Sequence, residues 1–167
     1  MKKILPFILL MLALVSCSED VKFNNEAVFQ GVINNVFWKG GNAKATLDAN
    51  NKLIINAVTL TENVSLEMPV PTTAIDPKNK NTFVTHVLGT SNTKKVSYVV
   101  TIDGKTLEYE TGTGVGDGQI VISEYDGATI SGTFRFNAHN TDPDSEDEPV
   151  VNLQSGVFYK VPVYKTL

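Results

Sequence analysis

Residues 128–138 alternate without a break. Ala128, Ile130, Gly132, Phe134, Phe136 and Ala138 fall on one side, and Thr129, Ser131, Thr133, Arg135 and Asn137 on the other. A strand turns successive side chains to opposite faces, whereas a helix repeats every 3.6 residues. This run therefore predicts an antiparallel strand with one dry and one wet face. A strand needs neighbours for its backbone polar groups, so it commits the surrounding chain to a sheet. The rest of the sequence agrees. Valine, threonine, isoleucine and aromatic residues recur in short runs broken by Gly, Asn, Asp and Pro, and no window beyond residue 16 carries a helical period. Val96, Tyr98, Val100 and Ile102 alternate with Lys95, Ser97, Thr101 and Asp103, with Val99 the exception.

Turn residues set the register, because a slip of one residue would turn every side chain over. With Asp103-Gly104 as a two-residue turn, Ile102 pairs with Lys105, Val100 with Leu107 and Tyr98 with Tyr109. The apolar faces then coincide, as a type I′ turn requires. The same treatment of Asp126-Gly127 would set Ile122 against Ser131. A three-residue loop, Tyr125-Asp126-Gly127, instead pairs Ile122 with Ile130 and Ile120 with Gly132, with Gly127 in the left-handed position of a bulged turn. Asn34-Asn35 predicts a third hairpin, between residues 29–33 and 36–38. Further strands are expected near residues 43–47, 52–60, 64–68 and 82–88, and in a C-terminal pair, 150–154 and 157–164, separated by a bulge or bend at Gly156. Residues 69–81, with Pro71 and Pro77, read as a connection. The expectation is an all-β fold, a single antiparallel β-sandwich or open barrel of about nine to eleven strands, with no internal repeat.

The start of the chain has a different character. Lys2 and Lys3 precede an apolar run over residues 4–15, and small residues follow, which are the zones of an export signal. The run contains Pro6 and is too short to span a bilayer, for which about 20 apolar residues are needed. Leu14-Val15-Ser16-Cys17 matches a lipobox at every position: aliphatic, small or aliphatic, small, then cysteine. Cys17 is the only cysteine, so it has no internal disulfide partner. Residues 1–16 are expected to be a lipoprotein signal peptide, 17–27 a lipidated polar tether reaching about 15–20 Å, and 28–167 the all-β domain. Resemblance to bacterial lipoproteins implies a diacylglyceryl thioether and an N-acyl chain on Cys17. Two or more fatty chains anchor a protein stably where one does not. The expected address is the outer membrane, on its periplasmic or surface-exposed face. Glu19 and Asp20 behind the cysteine resemble the surface-export signals of Bacteroidota lipoproteins.

With Lys2 and Lys3 lost along with the signal, 12 basic residues face 18 acidic ones, a formal charge of −6. Arg135 is the single arginine, and an acidic chain with no basic stripe argues against nucleic acid as a partner. Chemistry-bearing patterns are sparse. His86 lies in an expected strand without neighbours at metal-ligand spacing, and a zinc site wants three or four ligands. His139 precedes an acidic run from Asp142 to Glu148. Asp142, Asp144 and Glu146 alternate as calcium ligands can, but the run lacks the glycine and distal glutamate of an EF-hand. A solvated hairpin tip is the preferred reading, and no metal or other cofactor is assigned. Residues 112–118 are glycine-rich without the lysine of a P-loop or the following helix of a dinucleotide site. Glu108 and Glu110 share a strand face and are the candidate carboxylate pair for glycoside hydrolysis. Trp38 and Phe37 are adjacent, so they point to opposite faces, and one is expected to be exposed or to cover an edge. Trp38, Tyr98, Tyr109, Tyr125, Phe134, Phe136, Phe158, Tyr159 and Tyr164 are the aromatic candidates for a binding platform, most of them alternating as core residues.

The order of lipobox, tether, first hairpin around Ile33-Asn34-Asn35-Val36-Phe37-Trp38, the Ile130–Ala138 alternation, an acidic insertion and a closing Gly156-Val157-Phe158 strand resembles a family of small uncharacterised Bacteroidota lipoproteins with a single β-sandwich-like domain. The resemblance implies fold and address but no catalytic residues. The expectation is a non-enzymatic envelope protein, held to the membrane through Cys17, that binds a protein or glycan. The alternatives are a small glycan-directed hydrolase using paired carboxylates, and an envelope inhibitor or assembly factor.

Overall fold

The structure, a computed structural model, describes residues 27–166. The expected signal peptide, Cys17 and nearly all of the tether lie outside the described residues. Within them the regular elements are ten strands and one 3₁₀ turn, Lys80–Thr82. The strands are β1 (Val28–Ile33), β2 (Val36–Leu47), β3 (Lys52–Val58), β4 (Glu62–Pro69), β5 (Val84–Leu88), β6 (Lys95–Ile102), β7 (Lys105–Glu110), β8 (Asp117–Tyr125), β9 (Thr129–Asn140) and β10 (Val150–Lys165).

All ten belong to one sheet. Antiparallel ladders run from β1 through β2, β3 and β4 to β6 and β7. From β7 the circuit passes to β9, then β10, and back to β1. The sheet therefore curls round on itself as a barrel. Its seam between β7 and β9 is only two residue pairs wide, Tyr109 with Asn140 and Glu110 with His139. The rest of that edge of β9 is taken by β8, which carries β5 on its far side. One short ladder is parallel, joining residues 163–165 of β10 to residues 45–47 of β2. It follows from length: both strands are antiparallel to β1, and both outrun that six-residue strand.

The turn chemistry explains most of the register. Asn34 and Asn35 (φ 45° and 67°) and Asp103 and Gly104 (φ 50° and 79°) all take positive φ, as a type I′ turn demands of both central residues. Ile102 pairs with Lys105, Val100 with Leu107 and Tyr98 with Tyr109 as expected. The expected irregularity at Gly156 is present too. There Ser155 takes a φ of 52°, and the register against β9 slips between Leu153 and Gly156. A second slip at Lys160 lets residues 150–165 continue as one strand rather than two. A slip between Gly41 and Lys44 likewise joins the two segments expected at 36–38 and 43–47 into β2.

The Asp126-Gly127 hairpin corrects the three-residue loop. Tyr125 pairs with Ile130, so the turn spans residues 126–129, and a slip between Ile122 and Glu124 sets Ile122 opposite Gly132 and Ile120 opposite Phe134. The apolar face is the expected one, displaced by two residues. Two contacts account for the displacement. The Asp126 carboxylate accepts the backbone N–H groups of Ala128 (2.8 Å) and Thr129 (2.6 Å) and closes the longer turn by itself. Tyr125, which a three-residue loop would expose, is buried and bridges to Ile75.

The interior is filled by side chains. Phe29, Trp38, Phe134, Phe136 and Phe158 are buried together, with ring centroids 4.8 Å apart for Phe29 and Phe134 and an edge-to-face contact at 5.9 Å for Phe29 and Trp38. Each such side chain contributes roughly 1.5–3 kcal/mol by leaving water. Of the adjacent pair, Trp38 is the buried member and Phe37 the exposed one.

Candidate functional site

One end of the barrel is formed by the β1–β2 turn, the β6–β7 hairpin and the start of β10. A cleft of about 250 Å³ opens there, lined by Ile33, Asn34, Tyr98, Val100, Ile102, Leu107, Tyr109, Asp147, Glu148 and Val151. Each wall has a local cause. The type I′ turn ends β1 at Ile33, and Asn34 is pinned to β10 by two contacts. Its backbone N–H donates to the Asn152 carbonyl (2.9 Å), and its side-chain oxygen accepts the Asn152 N–H (3.0 Å). The register of the second hairpin places Val100 opposite Leu107 and Tyr98 opposite Tyr109. The two tyrosine rings lie 6.0 Å apart.

Beneath this wall lies a polar node. The Tyr98 hydroxyl donates to Oε1 of Glu62 (2.6 Å), and Oε2 accepts the Trp38 indole N–H (2.9 Å) and the Thr59 hydroxyl (3.1 Å). Thr59 in turn accepts the Glu62 backbone N–H (3.0 Å), so the β3–β4 turn holds the carboxylate in place. Burial first, and the Glu62 hydrogen bond second, push the Tyr98 hydroxyl far above the usual tyrosine value.

The acidic run forms the rim. Asp147 accepts from the Lys105 ammonium, at 2.5 Å, and from the Ser145 hydroxyl, at 2.7 Å. The same contacts hold its carboxyl below the ordinary range, the Lys105 bond first, and raise Lys105 reciprocally. Tyr109 is pushed up by burial, then by the negative charges of Asp147 and Glu148. This arrangement can receive an apolar group and counter a positive charge. Asp147 itself is poorly set to act as a general acid. A general acid needs a carboxyl whose pKa is raised, and Asp147 is driven the other way.

The sequence candidates are scattered. Asp142 accepts the Asp144 N–H (3.0 Å), and its own N–H is held by Asn140 (2.9 Å). Among the described residues no three His, Cys, Asp or Glu side chains gather where they could hold a metal ion, Asp142, Asp144 and Glu146 included. Glu110 is ion-paired with Lys95 (3.1 Å), and Glu108 is exposed. His86 is buried in β5 and His139 exposed in β9. The glycine-rich residues lie in the connection from β7 and the first residues of β8. Sequence reasoning picked out Tyr98 and Tyr109 but missed Glu62 and the Lys105–Asp147 pair. Only the second had a signal, since the Asp103-Gly104 register already puts Lys105 at the hairpin tip. Among the described residues no helix is long and apolar enough to cross a membrane, which leaves strands aside.

The chain belongs to the family described as a domain of unknown function, DUF6252, which it matches over residues 25–162. That stretch contains nine strands in full and most of β10. No curated protein and no solved structure matches the chain.

Proposed function

We propose that this protein is a Bacteroidota outer-membrane lipoprotein, anchored through Cys17, whose barrel binds a partner at its open end without transforming it. The observation that carries the binding reading is the cleft between the β1–β2 and β6–β7 hairpins, apolar in its floor and acidic at its rim. Apolar clefts with a few convergent polar groups are where small-molecule and side-chain ligands are held. The Leu14-Val15-Ser16-Cys17 lipobox and the length of the preceding apolar run support the anchor. Replacing Cys17 with Ala should release the protein from the membrane fraction, and full retention of that variant would sink the anchor.

The binding reading is tested by affinity capture from native envelope with the anchor intact. Ile102→Glu puts a charge into the cleft at a position already exposed, so the fold should tolerate it. A partner enriched by the wild-type protein and lost from this variant is the expected result. Equal capture by both would remove the cleft from the account. A glycan-directed hydrolase is the second reading, because Tyr98 and Tyr109 stand beside Asp147 and Glu148. It would need one carboxyl kept protonated, and the Lys105 ammonium opposes that at Asp147. An inhibitor or assembly factor would use the same surface and is a variety of the binding reading.

A further inference from the structure

We infer that the cleft takes a cationic amphipathic ligand, an ammonium or guanidinium group carried beside an apolar body, as a Lys- or Arg-bearing peptide segment presents it. The inference rests on the binding reading above and supplies its chemistry. Four observations lead to it.

The floor is hydrocarbon. Ile33, Val100, Leu107 and Val151 form it, and it extends outward through two exposed side chains, Ile102 and Val36. Val36 stands directly opposite Ile33 in the β1–β2 ladder, so the two share a face. An apolar group laid here would leave water at about 25 cal/mol per Å².

The rim is predominantly acidic, with Lys105 the ammonium paired to it. Asp147 and Glu148 line the cleft itself, on the run that also holds Asp142, Asp144 and Glu146. Tyr109, which lines the same cleft, is pushed up first by burial and then by the charges of Asp147 and Glu148, with Lys105 opposing them. An anionic ligand would be repelled at this mouth, and like charges brought together across an interface cost several kcal/mol.

The rim already binds an ammonium group. Lys105 projects from the tip of the β6–β7 hairpin and sets its Nζ on Asp147, with Ser145 completing the acceptor's shell. Its cross-strand partner is Ile102, one of the cleft's apolar residues. Lys105 thus shows in the chain's own residues the pairing that a ligand would make: an ammonium on Asp147, beside the exposed apolar residue Ile102. Being 60% exposed, it is placed to give way to a competing cation.

The size is that of side chains. About 250 Å³ is below the range of roughly 300–1,000 Å³ typical of sites for whole drug-sized molecules. One or two residues of a longer chain suit it better than an enclosed cofactor.

The test uses the full mature chain in detergent and three fluorescein-labelled hexapeptides, of alternating Lys and Leu, alternating Ser and Leu, and alternating Glu and Leu. Anisotropy is read at low and at physiological salt. The Lys/Leu peptide should bind best and weaken with salt. Asp147→Asn combined with Glu148→Gln should weaken it about tenfold, on the scale of paired charge contacts, while Glu108→Gln, an exposed carboxylate outside the cleft, should leave it unchanged. Lys105→Met should tighten it several-fold by removing the internal competitor, a gain that misfolding would not produce. Equal loss from Glu108→Gln and from the cleft double variant would reduce the attraction to net charge and overturn the inference. Lys105→Met binding no better than wild type would overturn it as well. If the Ser/Leu peptide binds as tightly as Lys/Leu and both are lost in Ile102→Glu, the cationic specificity is wrong and the binding reading stands. If no peptide binds, the inference falls, and the capture experiment with Ile102→Glu decides the binding reading separately.

Discussion

The Trp38 indole N–H and the Glu62 carboxylate meet at 2.9 Å, joining β2 to β4 across the intervening strand β3. Tyr98 and Thr59 donate to the same carboxylate. One acceptor thus serves three donors, two of which belong to the buried side chains Trp38 and Tyr98. Removing one partner from a buried hydrogen bond costs about 1–3 kcal/mol for each group left unpaired. Glu62→Ala should therefore lower stability to urea by about 2–4 kcal/mol on that scale. Glu62→Gln, which keeps one carbonyl oxygen, should lose about half as much. An alanine variant within about 0.5 kcal/mol of wild type, the range of an ordinary surface substitution, would show that the node is incidental.

The same node predicts alkaline sensitivity. The Tyr98 hydroxyl titrates far above its unfolded value of about 10 in the folded protein, because of burial and then Glu62. Above that pH the unfolded chain loses this proton while the folded one keeps it, so stability falls as pH rises from about 10 upward. Urea midpoints between pH 8 and 11, roughly bracketing that value, should decline at the upper end. Tyr98→Phe should decline less steeply, and an identical slope in both proteins would count against the assignment.

Much of the barrel was legible locally. The alternation at 128–138 became β9, and the apolar faces met across Asp103-Gly104 because a two-residue turn leaves only one register. The Asp126-Gly127 turn departs from the expected register because the deciding groups do not show in an alternation pattern. The Asp126 carboxylate caps two backbone N–H groups, and Tyr125 must stay buried. The cleft was less legible still. Ile33, Leu107 and Glu148 are far apart in sequence and meet only because the sheet closes through the two-pair seam of β7 and β9. Glu62 carries no sequence signal at all, since a glutamate beginning a strand looks like any solvated one.

Gly132 marks a point where the fold has no spare room. A methyl group there would press on the Val121 carbonyl oxygen and stand 2.5 Å from Cζ of Phe158. Phe158 is wholly buried against Phe29 and Phe134, so it has little freedom to retreat. Overpacking of this kind costs about 1–3 kcal/mol. Gly132→Ala should melt several degrees below wild type by circular dichroism, whereas Thr133→Ala on the exposed face should change little. Equal melting of the two variants would mean that the Phe158 ring moves more freely than its packing suggests.

His86 should make the protein sensitive to mild acid. It sits in β5 with 8% exposure, and its Nε2 is buried without a hydrogen-bond partner among the described residues. Burial, and then the positive charge of Lys94, hold its pKa below the usual 6.5. The folded protein therefore keeps the ring neutral where the unfolded chain already takes up a proton. The resulting stability is fully present above about pH 6.5 and is lost as pH falls from there toward the folded value. Free carboxylates, with ordinary values near 4, change little between about pH 7 and 5, so this window keeps their contribution small. Urea midpoints should fall across it for the wild-type protein. His86→Leu keeps a side chain of similar bulk without the titration, and its midpoint should stay nearly level. A slope unchanged by the substitution would place the acid sensitivity elsewhere.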